Sequence, residues 1–338
     1  MADLSAVLLL VSFCVVSVSG GPSAHRAPGR PLLLVANKGD QSLGIVDPDS
    51  GRLLATIPEG GVTGHEVAAS PDGGTAYVPI YGNSGVGQPG TDGTNMVVVD
   101  IVAQRVIGNV DFGHGVRPHC AVVGPKNGQL YVTTELDNTV SVIDPRSLKV
   151  VGSIPTGQAE SHMLAITRDG RRGYTANVGP GTVSVLDLEA AKTIAVIPIS
   201  PPTQRISLSA DDSMAFTSDQ ARPRLAVIAT ATNRIKRWIP LPGTGYGTAA
   251  TADGRWLLVA MPKARAVAVV DLQAMNVART LEVPSSPQEV LISPDNRIAY
   301  VSCDSSHKVA AIDLSAWKVD KLIDVGKGAD GLAWAAVR

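Results

Sequence analysis

Histidines are the side chains of this sequence best suited to chemistry. The chain has six of them, and three, His65, His119 and His162, stand at the beginning of a short apolar segment in three successive repeats. Imidazole is the commonest protein ligand for metals and the side chain that exchanges protons most readily near neutral pH. Brought together beside a carboxylate, the three could bind zinc, copper or non-haem iron and leave a position open for substrate.

The elements that would position these histidines are short strands that repeat about every forty-three residues. Apolar strands of the form VxVxD end at positions spaced 53, 44, 43, 42, 42 and 42 residues apart. Such regular self-similarity indicates a repeat architecture, and the aspartate can hold the turn that follows through hydrogen bonds to its backbone. The marker positions are Asp47, Asp100, Asp144, Asp187, Ala229, Asp271 and Asp313.

A β-turn motif precedes most of these strands. It reads SPDG at 70–73, TRDG at 167–170, TADG at 251–254 and SPDN at 293–296. Each repeat then holds four short strands: one before this turn, one after it, the VxVxD strand and an outer strand. Four antiparallel strands in a unit of this length predict a β-propeller blade, and the seven markers predict seven blades.

The two ends of the repeat region predict how the ring closes. Leu32–Asn37 has the pattern of a second strand, whereas Gly331–Val337 has that of a first strand without a partner. Pairing of the two would complete a blade and leave no exposed sheet edge at the seam. The prediction is an all-β fold, a seven-bladed β-propeller forming one domain over residues 32–338, closed by N-terminal strands pairing with the C-terminal strand.

The repeat unit resembles a known family. Units of the form VGxxPxxxxxSPDGxxAYVxN followed by VxVID are similar to those of the secreted YVTN-repeat, or YncE-like, propellers, from about Leu32 to Val337. The resemblance implies the fold. It leaves the function open, because members serve as binding proteins and surface-layer components, and related seven-bladed propellers include lactonases and cycloisomerases.

Alignment of the blades on the turn motif places one residue per blade where the innermost strand begins. We expect these residues around one mouth of the axial channel, on the face that also carries the loops between second and third strands. The seven are His65, His119, His162, Gln204, Tyr246, Gln288 and Asp330.

This ring and the residues that follow it supply the predicted site. The three histidines are the predicted metal ligands, Glu66 or Glu289 a further ligand or general base, and Arg205 the group that orients an anionic substrate. The predicted substrate contacts are Gln204, Tyr246, Gln288 and Asp330.

Three hypotheses for the function stay open at this point. The first is a protein that binds a small ligand or a divalent transition metal at the His-rich mouth, with metal-assisted catalysis as its fullest form. The second, implied by the resemblance, is a metal-free enzyme of the lactonase or cycloisomerase kind. The third is a scaffold that captures a protein partner on its rim. Alternatively, the three histidines are polar channel residues without a function of their own, copied when the repeat was duplicated.

The longest interval between markers contains a Gly-rich loop, Tyr81–Asn95. On the expected topology this loop emerges on the face of the histidines, where it would act as a lid. A tolerated surface insertion is the alternative.

Composition and the N-terminus bound the remaining classes of function. With 29 basic and 30 acidic residues, the chain lacks the positive charge that nucleic acid binding requires. Residues 1–20 read as a signal peptide, too short to span a membrane, followed by a linker at 21–31, which predicts a secreted or periplasmic monomer with no membrane span after cleavage. Cys120 and Cys303 fall in well-separated blades, so we expect no disulfide between them.

Overall fold

The computed structural model describes Met1, residues 30–83 and residues 85–337. Apart from Met1, the predicted signal peptide lies outside the described residues, as does nearly all of the predicted linker, so export stays a prediction. Over the described residues the chain forms seven four-stranded antiparallel sheets. Within that same part, no helix is long and apolar enough to cross a membrane.

Twenty-eight strands and two short 3₁₀ helices make up the described fold. The first fourteen strands are β1 (Arg30–Asn37), β2 (Ser42–Asp47), β3 (Arg52–Pro58), β4 (Ala68–Ala69), β5 (Thr75–Gly82), β6 (Asp92–Asp100), β7 (Arg105–Asp111), β8 (Pro118–Val123), β9 (Leu130–Thr134), β10 (Thr139–Asp144), β11 (Lys149–Pro155), β12 (Ser161–Ile166), β13 (Arg172–Asn177) and β14 (Thr182–Asp187). The others are β15 (Lys192–Pro198), β16 (Ser207–Leu208), β17 (Met214–Asp219), β18 (Arg224–Ala229), β19 (Arg234–Pro240), β20 (Thr248–Ala250), β21 (Trp256–Met261), β22 (Ala266–Asp271), β23 (Asn276–Glu282), β24 (Pro287–Ile292), β25 (Ile298–Cys303), β26 (Lys308–Asp313), β27 (Lys318–Asp324) and β28 (Ala329–Val337), with 3₁₀ helices at Pro262–Ala264 and Asp304–Ser306.

Each sheet is one blade of a propeller. Strands β4–β7 form blade 1, β8–β11 blade 2, β12–β15 blade 3, β16–β19 blade 4, β20–β23 blade 5 and β24–β27 blade 6, while β28 joins β1–β3 in blade 7. The seven-bladed architecture predicted from the marker spacing is therefore confirmed, with four antiparallel strands per blade.

The turns within each blade follow from the side chains named by the motifs. Asp313, for example, accepts hydrogen bonds through Oδ1 from the backbone N–H of Ser315 (2.7 Å) and of Ala316 (3.0 Å). In the SPDG turn the Ser70 hydroxyl donates to Asp72 and accepts from the backbone N–H of Thr75 at 3.0 Å. These hydrogen bonds satisfy backbone N–H groups in the turns, which have no partner in the hydrogen-bond ladders between strands.

The ring closes in blade 7 as predicted. Strand β1 pairs antiparallel with β28 from Arg30 opposite Val337 to Asn37 opposite Ala329. The strand begins at Arg30, two residues before the predicted domain boundary, because Arg30 still has a partner residue in β28.

The core lies between neighbouring blades. Middle strands are buried on both faces: all five residues of β9 and the first five residues of β14 are buried. Strands buried on both faces read as runs of Val, Ala, Leu and Ile, which accounts for an apolar composition poor in aromatic residues. The thiols of Cys120 and Cys303 are free and buried in this core.

Candidate functional site

Two sets of loops meet on one face of the ring, as the sequence predicts. In five of the seven blades, a residue at the end of the second strand donates its backbone N–H to the residue two positions before the inner ring position. Examples are Tyr81 to Thr63 (2.9 Å) and Val178 to Glu160 (3.0 Å). The inner ring residues therefore begin their strands directly beneath these loops.

The three predicted histidines lie together at this mouth. The ring centroids of His119 and His162 are 3.5 Å apart and inclined by 30°, and His65 meets His119 edge-on at 5.4 Å. His119 and His162 are 1% and 3% exposed, whereas His65 is partly exposed. Adjacent blades thus stack their imidazoles in a buried cluster, with His65 at its solvent side.

Three further side chains complete the cluster. The Tyr81 hydroxyl donates to Glu135 Oε2 at 2.8 Å, and His162 Nδ1 lies 3.5 Å from the same oxygen. Arg117 Nη1 lies 3.8 Å from the other oxygen, Oε1. Both Tyr81 and Glu135 are buried, so a carboxylate and a phenol stand behind the stacked imidazoles. We call His65, His119, His162, Tyr81 and Glu135 the His-rich mouth.

The sequence predicts only that Tyr81 and Glu135 lie in loops. Their equivalent positions in the repeat alignment nevertheless indicate that they lie at the same level of the channel. Glu135 directly follows its second strand, and Tyr81 is the equivalent residue near the end of β5. The equivalent positions of the seven blades form a second ring above the first. That ring consists of Tyr81, Glu135, Val178, Gln220, Pro262, Asp304 and Lys38.

The imidazoles of the cluster are neutral at pH 7. Burial lowers the pKa of His65 to about 4, despite the opposing charge of Asp330. Burial, reinforced by the neighbouring histidines, holds the pKa of His119 well below its usual value, and burial also lowers the pKa of His162 although Glu135 opposes it. A neutral imidazole has one donor and one acceptor nitrogen.

The fold leaves the Nδ1 atoms of the two stacked histidines without a good hydrogen bond. Nδ1 of His119 is buried and has no hydrogen-bond partner among the described residues, and the buried Nδ1 of His162 has only a long contact, 3.5 Å, with Glu135 Oε2. A buried polar atom without a partner costs about 1–3 kcal/mol. The cluster therefore carries hydrogen-bonding capacity that the fold itself does not use.

The arrangement of the rings differs from that of a metal centre. Imidazole lone pairs lie in the ring plane, so two rings stacked face to face do not direct their nitrogens to one point. Among the residues described, no group of three or more His, Cys, Asp or Glu side chains is placed to hold a metal ion. The transition-metal hypothesis stays a prediction, and it requires a turn of the His119 or His162 ring.

Arg205, predicted to orient an anionic substrate, lies in a cluster of carboxylates that crosses the axis. Its Nη1 lies 2.5 Å from Glu66 Oε1 and 3.9 Å from Glu289 Oε2, and its Nη2 lies 2.8 Å from Asp330 Oδ1. Lys38 extends the cluster, with Nζ 3.2 Å from Asp330. A substrate carboxylate would have to compete with these groups for the guanidinium, so Arg205 first of all joins blade 4 to blades 1, 6 and 7.

The carboxyl groups of this Arg205 cluster have pKa values displaced in opposite directions. Burial raises the pKa of Glu66 well above its usual range, more than Arg205 can offset, and burial likewise raises the pKa of Glu289. For Asp330, burial is outweighed by Arg205 and Lys38, and the pKa is lowered. Two nearby carboxyls with raised pKa values share a proton more easily than both ionise.

The remaining predicted substrate contacts line the mouth to different degrees. Gln204, Tyr246 and Gln288 are partly exposed there, and the Tyr246 ring lies 5.0 Å from the Arg205 guanidinium carbon. Asp330, by contrast, is buried and bonded to Arg205 and Lys38. The structure thus brings ten predicted residues to one end of the channel but divides them between two clusters.

The long loop reaches across two blades. Arg117, on the approach to blade 2, donates from Nη2 to the Gln88 carbonyl (2.7 Å) and from Nε to Asp92 (2.6 Å). Farther along, a Cβ at Gly87 would lie only 2.9 Å from a carboxylate oxygen of Glu160, just before blade 3. The described part of the loop therefore extends from blade 1 over blade 2 towards blade 3, above His119 and His162.

Comparisons with known proteins agree with this architecture. A family model described as YNCE-like beta-propeller matches residues 232–336. Among solved structures, Kuenenia stuttgartiensis hydrazine synthase superposes with a TM-score of 0.69 at 18% identity, covering 80% of this chain and 89% of that chain. Dihydro-heme d1 dehydrogenase NirN in complex with DHE superposes with a TM-score of 0.66 at 17% identity, covering 92% of this chain and 77% of that one. At such identities these likenesses show the fold alone.

One curated protein matches a segment of the sequence. It is the 6-phosphogluconolactonase of Bacillus subtilis (strain 168), which is 31% identical over 91 residues, or 24% of this chain. The match spans about a quarter (26%) of the length of that relative.

Proposed function

We propose that this chain, which belongs to the YncE-like β-propeller family, is a binding protein that holds a small polar ligand in its His-rich mouth. The observation that carries the proposal is the pair of buried Nδ1 atoms on His119, which has no partner among the described residues, and on His162, whose contact with Glu135 is a long 3.5 Å. A ligand with hydroxyl or carbonyl groups would supply those partners. The fold otherwise bears the cost of leaving them unpaired.

The chemistry of the mouth favours a ligand without a large charge. The imidazoles are neutral, so they offer hydrogen bonds of both kinds and no net attraction. Tyr81 and Glu135 keep their own bond and define the wall behind the rings. The loop fastened by Arg117 lies at this end of the channel, and His65 is the one partly exposed histidine of the three, which suits a small molecule better than a polymer.

The test uses a polyol and a sugar acid, glucitol and gluconate, as probes. We expect one of them to shift the NMR resonances of His119 and His162 and to raise the melting temperature of the wild-type protein. His119→Ala combined with His162→Ala should abolish both effects, whereas His114→Ala, an exposed histidine on the rim, should change neither. Equal responses in the double variant and the wild type would overturn the proposal.

A transition metal is the alternative occupant of the same mouth. Zinc, copper or iron would need His65, His119 and His162 to turn their nitrogens inward, which breaks the ring stack. Metal analysis of the purified protein separates the two cases. A bound ion that is lost when all three histidines become alanine supports the metal; no uptake from solutions of Zn²⁺ or Cu²⁺ excludes it.

A second candidate function is hydrolysis of a sugar lactone. It is favoured by the segment similar to a 6-phosphogluconolactonase and by a neutral imidazole, His162, 3.5 Å from a carboxylate. In this case His162 would take a proton from water, with Glu135 stabilising the imidazolium. Ring opening of gluconolactone should then resist chelators and fall roughly 10²-fold or more in His162→Ala, and turnover equal to the uncatalysed rate would exclude it.

A further inference from the structure

A second cavity lies deeper in the axial channel, beyond the Arg205 cluster. The inner strands run from the His-rich mouth towards the SPDG turns, and the cavity begins one residue along them, at Glu66 and Glu289. Its volume is about 370 Å³, within the range of roughly 300–1,000 Å³ typical of small-molecule sites. None of the His-rich mouth residues lines it, whereas Glu66 and Glu289 of the Arg205 cluster do.

Aliphatic side chains contribute about half of the lining of this axial cavity, and polar groups contribute the rest. Val122, Ile166, Ile206 and Leu208 come from three successive inner strands, and Leu332 faces them from β28. Ser207 and Thr248 also lie in the wall, but their hydroxyls are hydrogen-bonded to each other at 2.6 Å. The sides of the cavity therefore suit a hydrocarbon group.

The end of the cavity carries an excess of acidic groups. Glu66, Glu289 and Asp330 surround one guanidinium, that of Arg205, and Lys38, the other nearby cation, is shared between Asp330 and Asp304. Glu289 is the accessible member, since its side chain is 21% exposed against 5% for Glu66 and 4% for Asp330. A ligand in the cavity would therefore meet the Glu289 carboxyl first.

We propose that the axial cavity binds a small organic cation, a primary ammonium on a hydrophobic body. The ammonium group donates to Glu289, beside Glu66, and the hydrocarbon part packs against Val122, Ile166 and Ile206. The geometry supports a cation because three carboxyls surround a single guanidinium. An anionic ligand would bring further negative charge to a buried site that already holds more carboxyl groups than cations.

Binding of an ammonium group should change the protonation of Glu66 and Glu289. Burial raises the pKa of both Glu66 and Glu289, so the pair retains a proton in the empty cavity more readily than exposed glutamates do. An ammonium group replaces that proton, because it supplies the positive charge that stabilises both carboxylates. Binding therefore releases a proton to the buffer while the ligand keeps its own charge.

The experiment compares three probes of equal length on the full-length protein by isothermal titration calorimetry: hexylammonium, hexanol and hexanoate. We expect hexylammonium to bind roughly tenfold or more tightly than hexanol, the difference that one charge-assisted hydrogen bond makes. Hexanoate should bind worst. Repeating the titration in buffers of different ionisation enthalpy should show proton release for hexylammonium alone.

Variants identify the site and separate it from the mouth. Glu289→Gln should remove the advantage of hexylammonium over hexanol, whereas Glu282→Gln, on the exposed outer strand of blade 5, should keep it. His114→Ala, on the exposed rim, should leave hexylammonium binding unchanged. Binding at the mouth is followed separately through the His119 and His162 resonances, so a failed prediction there and a failed prediction here are distinguishable. Thermal unfolding verifies that each variant is folded. The proposal is overturned if hexylammonium binds no better than hexanol, or binds equally well to Glu289→Gln.

Discussion

Arg205 shows how a single side chain can tie a propeller together across its axis. Its guanidinium contacts carboxyls from residues 139 and 125 positions away in sequence, which belong to blades 1 and 7. All three groups are buried. A buried ion pair contributes little net stability compared with an apolar replacement, but removal of one partner leaves an uncompensated charge. The loss on truncation should therefore be large.

We predict that Arg205→Ala destabilises the protein by about 3–5 kcal/mol, because Glu66 and Asp330 lose their shared cation inside the channel. Denaturant unfolding of the wild type and the variant measures the difference. The loss should be smaller at acidic pH, because Glu66, whose pKa is raised by burial, is then protonated and Asp330 takes up a proton once it has lost the guanidinium.

Lys308→Ala provides the matched control. Lys308 also pairs with a carboxylate, that of Asp324, but the aspartate side chain is 86% exposed, and exposed pairs contribute about 0–1 kcal/mol. If the two variants lost similar stability, the Arg205 cluster would not act as a buried tie.

At the scale of the strand and turn, the sequence was most informative where one side chain makes a hydrogen bond to backbone close to it in sequence. The aspartates that mark six of the seven repeats can accept hydrogen bonds from the next turn, as Asp313 does, and Ser70 with Asp72 closes the SPDG turn. The same Ser–Asp bond occurs at Ser209 and Asp211, in a turn whose letters, SADD, differ from the motif. Local hydrogen bonding thus explains why blade count and strand order could be predicted.

The pairings between elements could not be predicted in the same way. Nothing near Glu135 in sequence indicates that Tyr81 will donate to it, because the two meet only when blades 1 and 2 pack side by side. Likewise, Arg205 could be placed on the inner face but not assigned to Glu66 and Asp330. Repeat alignment gives the height of a residue in the channel, whereas the direction of its side chain depends on packing against neighbours.

We predict that Asp313→Ala costs about 1–2 kcal/mol, since two backbone N–H groups of the turn lose their acceptor. Asp320→Ala, at an exposed position of the adjacent outer strand, should cost less than about 0.5 kcal/mol. Denaturant unfolding of both variants measures the contrast. A neutral effect at Asp313 would mean that water satisfies the turn as well as the carboxylate does.

For the whole molecule, closure by β28 determines whether seven blades behave as one unit. In an open repeat array each unit contacts only its neighbours, so ends can fray independently. Here β28 pairs with β1 over nearly its whole length and contributes the buried Leu332 and Ala335 to the core. It also carries Asp330, through which the seam is joined to Arg205 on the far side of the channel. The same strand therefore closes the ring and completes the axial cluster.

We predict that a chain ending at Gly328 loses cooperative unfolding. Removal of β28 exposes the edge of β1 and deprives the core of side chains that contribute about 1.5–3 kcal/mol each when large and fully buried, while Arg205 loses Asp330.

A circular permutant tests closure without loss of any strand. Arg30 and Val337 are register partners, so a short Gly–Ser linker can join them, and new termini can be opened between the exposed Glu189 and Ala190. This permutant should unfold in one transition near the wild-type midpoint, whereas the truncated chain should unfold earlier and over a broader range. A truncated chain as stable as the permutant would show that the blades are held by their neighbours alone and that closure contributes nothing.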